Sequence, residues 1–161
     1  MQLESSAGRA WKRLPLEERR LAALAFFREP PPELLGSALG AIIRQRKLRP
    51  QVARSLSAEQ QASALATVLD PGEPLAAALL VALHLGERRG LLAAFLDALG
   101  LPHENGLLKD GAEEAPLSDE AVRKAAAAVA ASFPRPHLET YFSVLWMQDP
   151  ERWSALAKLE L

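Results

Sequence analysis

Apolar residues recur three or four positions apart along most of this chain and seldom alternate as they would in a half-buried strand. The stretch 56–100 shows the pattern best and predicts three successive helices, over 57–69, 73–85 and 88–99. Leu65, Val68 and Leu69 supply the apolar face of the first; Leu91, Leu92, Phe95, Leu96 and Leu99 that of the third. Ser57 with Gln60 three residues on forms a capping box, in which each side chain satisfies the other's backbone donor. Pro71-Gly72-Glu73-Pro74 separates the first two helices, Gly86 loosens the second junction, and Gly100 suits a left-handed helix end. The middle helix is apolar almost all round, through Leu79, Leu80, Val81, Leu83 and Leu85. A helix lacking a polar face belongs at the centre of its domain.

The same punctuation marks the rest of the chain. A short helix over 3–14 places Trp11 and Leu14 on one face. Pro15 opens a helix to Arg28 with the stripe Leu16, Leu21, Leu24 and Phe27. Pro30-Pro31-Pro32 ends it, because residues before prolines avoid the α region. Pro32 begins another helix to about Lys47, with Gly36 and Gly40 one turn apart, a spacing that admits a close neighbouring helix; 51–56 is a short helical turn or connector. Residues 101–116, rich in Gly, Pro, Asn and carboxylates, predict an inserted surface loop with turns at Asn105-Gly106 and Asp110-Gly111. Ser118 caps an alanine-rich helix to 132, Pro134-Arg135-Pro136 leads into a helix over 137–148, and Asp149-Pro150-Glu151 starts a last one to 159.

Leu14-Pro15-Leu16-Glu17, Leu56-Ser57-Ala58-Glu59 and Leu117-Ser118-Asp119-Glu120 each open a helix, and a proline-marked turn opens a second one later. The chain therefore reads as a single all-α domain, 1–161, built as a compact repeat-like array or multi-helix bundle. Its helical modules are 14–56, 57–100 and 117–161, with 101–116 inserted. The first two are offset by about 42 residues, within the period of HEAT and armadillo repeats, which the chain resembles in architecture only.

Composition supports the helical reading: alanine and leucine dominate, and aromatic residues make up 6%. Cysteine is absent, which removes disulfides, thiolate metal sites and cysteine nucleophiles. Residues 1–13 contain Glu4 and no long apolar run, unlike a secretory signal. No run approaches the roughly 20 apolar residues of a membrane span, so a soluble cytoplasmic protein with no membrane partner is expected.

Charge changes the picture more. Residues 1–56 hold 11 Lys/Arg against 5 Asp/Glu, whereas 57–161 hold 8 against 15. The densest cluster is Arg44-Gln45-Arg46-Lys47-Leu48-Arg49, followed by Arg54, with Arg88 and Arg89 at the equivalent place in the second module. Cations at a helix C-terminus complement its dipole; as a group they also suit an acidic protein surface or a phosphate. No aromatic residue lies within the cluster for base stacking. His84, three residues before Glu87, is the one place where a helix face offers two metal ligands, short of the three or four a site needs. His103 and Glu104 lie in the inserted loop, where a rigid frame commonly positions binding groups. No phosphate loop, nucleophile elbow or His-Glu-x-x-His is present, and no cofactor is indicated.

These features predict a non-catalytic protein-binding or scaffold domain. Its candidate contacts are Arg44, Arg46, Lys47, Arg49, Arg88, Arg89, His103 and Glu104. The alternatives are a nucleic-acid or phosphate-binding domain using the same basic cluster, and a bundle with a small-ligand or metal site near His84.

Overall fold

The computed structural model describes residues 1–160, and among them the chain is all-α. Nine helices run α1 (Ala7–Arg13), α2 (Leu16–Arg28), α3 (Pro32–Arg46), α4 (Pro50–Ser55), α5 (Ala58–Ala66), α6 (Glu73–Glu87), α7 (Arg89–Leu99), α8 (Asp119–Ala130) and α9 (Arg135–Gln148). Two antiparallel two-residue strands, β1 (His103–Glu104) and β2 (Leu107–Leu108), lie between α7 and α8. No described helix is long and apolar enough to cross a membrane. Packing groups the residues into two compact bodies, one of Ser6–Glu87 and the other of Met1–Ser5 with the residues from Arg88 on. The division falls between α6 and α7, inside the segment 57–100.

In the first body, α2 packs on α5 and α6, α1 lies against α6, and α3 contacts α4, α5 and α6. Trp11 of α1 is wholly buried, and its indole Nε1–H donates to the Val68 carbonyl at 2.8 Å. Phe26, Ile42, Leu65, Leu75, Leu79, Leu80 and Leu83 complete the core. The buried face of α2 is not the leucine stripe but Ala22, Ala23 and Phe26; Leu16 is exposed. Small side chains on α2 let it pack closely on its neighbours. A Cβ built on Gly86 would stand 2.9 Å from Ala25 Cβ, so Gly86 serves this approach and α6 continues through it to Glu87.

The glycine pair of α3 behaves otherwise. Nothing lies within 4 Å of a Cβ on Gly36, and a Cβ on Gly40 would meet only Arg44 Nη1, at 3.3 Å. No neighbouring helix uses that spacing; Gly40 instead leaves room for the Arg44 side chain to fold back along its own helix.

In the second body, α7 packs on α8. Phe95 gathers Tyr141, Phe142 and Trp153 at ring-centroid distances of 5.7, 5.1 and 5.9 Å, an aromatic cluster linking α7, α9 and the C-terminal turns. Burial holds the Tyr141 hydroxyl in its neutral form by raising its pKa. The segment 151–159 is a run of turns ending in a 3-10 turn at Leu156–Lys158, not a continuous helix. Arg152 ties this segment to the loop before α8: its guanidinium donates to the carbonyls of Ala112 and Ala115, at 3.3 and 2.9 Å, and to that of Glu113, and it lies over the Trp153 ring. Residues 101–116 are accordingly not a plain surface loop: they form a hairpin and a 3-10 turn, with Leu101, Gly106 and Ala112 buried.

Candidate functional site

The sequence candidates form two groups, one in each body. In the first body, α3 ends where Lys47 takes left-handed dihedrals (φ 53°, ψ 43°) and the Leu48 N–H reaches back to Ile43 O at 3.2 Å. This is the six-to-one bond of a Schellman cap. Pro50 then opens α4, so the chain reverses within a few residues and presents the whole cluster outward: Arg44, Arg46, Lys47, Arg49 and Arg54 are all exposed. None of these five side chains forms an ion pair or hydrogen bond with a described residue. The stretch 34–58 contains no Asp or Glu.

Beside this cluster lies an open groove of about 590 Å³. Leu48, Leu56 and Ala64 give it apolar walls, and Arg46, Gln60 and Ser63 stand at its polar edge together with Glu59. The Ser57 capping box is formed, with Ser57 N–H donating to Gln60 Oε1 at 3.0 Å and Gln60 N–H to Ser57 Oγ at 3.2 Å. The carbonyl of the Gln60 side chain is thereby committed to the helix start, and its NH₂ remains as a donor.

In the second body the four candidates are used differently. Arg88 is 7% exposed, so it is removed from the surface assigned to it on sequence grounds; its backbone starts α7, and its carbonyl accepts from Leu91 N–H at 3.0 Å. Arg89 donates through Nη1 to Asn105 O at 3.0 Å and so ties α7 to the hairpin. His103 Nδ1 accepts the Gly106 N–H at 3.1 Å, which places the ring proton on Nε2, where it donates to Asp97 Oδ1 at 2.8 Å. With both ring nitrogens engaged, His103 braces the hairpin and holds no free base. Glu104 is exposed at the rim of a second groove of about 780 Å³, whose lining mixes Arg89 and Lys109 with Glu104 and Asp110.

His84 is 3% exposed, and its Nδ1–H donates to Leu80 O at 2.7 Å, one turn back in α6. Among the described residues no three His, Asp or Glu side chains lie close enough together to hold a metal.

Two contacts had no sequence signal. Glu73, at the start of α6, accepts from the N–H groups of Ala7 and Gly8 at 2.9 and 3.1 Å and from the Ser6 hydroxyl, capping α1 from 66 residues away. The Ser6 hydrogen bond, with help from these N–H groups, holds the Glu73 carboxyl below its ordinary pKa. Arg152 is the other. In each contact a charged side chain meets backbone groups far away in the sequence, and only folding brings them together.

No protein family, curated protein or solved structure matches this chain.

Proposed function

We propose that this chain is a non-catalytic helical domain that binds another protein through the basic surface at the α3–α4 join. The observation that supports it is the set of five exposed cations without a carboxylate partner, in 25 residues that carry no acid. Like charges held together repel one another, and a docking anionic surface relieves that repulsion while steering encounter. The packing of α2 and α3 against α5 and α6 within the first body is read as repeat-like and suits a contact surface. The same cations make nucleic acid the second reading. One feature weighs against it: neither the cluster nor the groove lining contains an aromatic residue on which a base would stack.

The test compares the tagged wild-type chain with an Arg44→Glu, Arg46→Glu, Arg49→Glu triple variant in affinity capture at low and high salt. A stoichiometric protein captured by the wild type at both salt concentrations and captured less by the variant at low salt is the expected result. Recovery of nucleic acid alone, with affinity falling steeply and linearly in log salt, would replace this reading with the second.

A further inference from the structure

We infer that the partner presents a short acidic segment with one large aliphatic side chain, and that this side chain seats in the groove between Leu48, Leu56 and Ala64 while flanking carboxylates meet Arg46 and its neighbouring cations. The inference rests on the protein-binding reading above and names the chemistry of that partner. Three observations carry it. The groove volume, about 590 Å³, is within the range of ligand-binding clefts and has room for a large aliphatic side chain with adjoining backbone, and its walls join the ends of α3 and α4 to one face of α5. Its polar edge is not uniform: Arg46 attracts a carboxylate, the free NH₂ of Gln60 donates, the Ser63 hydroxyl makes no hydrogen bond to a described residue, and Glu59 opposes dense negative charge. A ligand that satisfies this edge carries carboxylates on one side and backbone or side-chain acceptors on the other. Beyond Arg46 the exposed cations Lys47, Arg49 and Arg54 offer several positive charges, which suit a segment carrying more than one carboxylate.

An apolar anchor in a pocket commonly dominates the affinity of such contacts, whereas rim charges set approach and salt dependence. The two contributions are therefore separable. A display library of random 12-residue peptides is selected on the full chain at low and at physiological salt, and the selected peptides are titrated by fluorescence anisotropy. Wild type is expected to enrich peptides combining several Asp or Glu with one Leu, Ile or Met. Ser63→Trp, which fills the groove from an exposed position, is expected to weaken them about tenfold or more. Ser63→Glu, which places a carboxylate there, is a second variant with the same expected direction; circular dichroism checks the fold of both. Arg46→Glu is expected to weaken binding by roughly three- to tenfold, with most of that difference lost at high salt. Acidic peptides that bind both Ser63 variants as tightly as wild type would overturn the anchor. Enrichment of peptides of another composition, still sensitive to Arg46→Glu, would overturn this inference and leave the protein-binding reading standing. Binding of a duplex or single-stranded oligonucleotide in place of any peptide would overturn both.

Discussion

Lys47 and Gly100 end their helices with the same backbone geometry, and the difference between them bears on function. Gly100 has φ 69°, with its own N–H on Asp97 O and the Leu101 N–H on Leu96 O, both at 3.0 Å, a complete Schellman cap on the residue type that best tolerates it. Lys47 holds φ 53° with a Cβ, which costs about 1 kcal/mol. Lys47→Gly is expected to raise the melting temperature, by about 0.5–1 kcal/mol of stability, and to weaken partner binding; a variant less stable than wild type would contradict the cap assignment. The glycines give a paired test. Gly36 lies in α3 with open space where a Cβ would go, so Gly36→Ala should stabilise by about 1 kcal/mol, which chemical denaturation would measure. Gly106 has φ 85°, and a Cβ there would stand 2.8 Å from Leu92 Cβ and 3.1 Å from Arg89 O, so Gly106→Ala should destabilise by about 2 kcal/mol or more. A stabilised Gly106→Ala would mean that the hairpin does not lie on α7 as described.

At the scale of elements, the shortest helix with a capping carboxylate depends on another helix for it. α1 has only seven residues, too few to be stable alone, and the Glu73 carboxylate at the head of α6 binds its first N–H groups. Glu73 has a lower pKa folded than unfolded, so the unfolded chain binds more protons in the acid range. The stabilisation is present in full above the ordinary carboxyl value of 4.5 and is lost as pH falls through that value toward the lowered one. Glu73→Gln is expected to lower stability at neutral pH and to flatten its fall as pH drops through and below 4.5; thermal melts across acid pH check it, and parallel wild-type and variant curves would rule the linkage out. This contact also explains why α1 starts at Ala7 and not near residue 3. The helix begins where Ser6 and Glu73 together satisfy its open donors, and residues before it leave for other bonds, Glu4 N–H reaching Ser143 Oγ at 2.9 Å.

At the scale of the molecule, the chain distributes its apolar residues between two cores. The body of Ser6–Glu87 has Trp11, Phe26, Ile42 and the α6 leucines inside it. Expressed alone, residues 6–87 are expected to fold. Trp11 is the only tryptophan in that fragment and its ring is fully buried, so the expected signs are blue-shifted emission and a cooperative melt. Red-shifted emission with a gradual transition would show that this core needs the rest of the chain. The sequence alone determined the helical class and most helix bounds, because apolar periodicity, prolines at first turns and the Ser57, Gly100 and Ser118 caps act through neighbours a few residues away. It also marked the basic cluster at 44–49, since a run of like charge is local. Only the tertiary structure decided which face of α2 is buried, why Gly86 and not Gly40 admits a helix, and that Arg88 is inside. It likewise decided that Leu48, Leu56 and Ala64 share one groove. Those outcomes depend on residues far apart in the chain competing for the same space, and one-dimensional spacing carries no record of that competition.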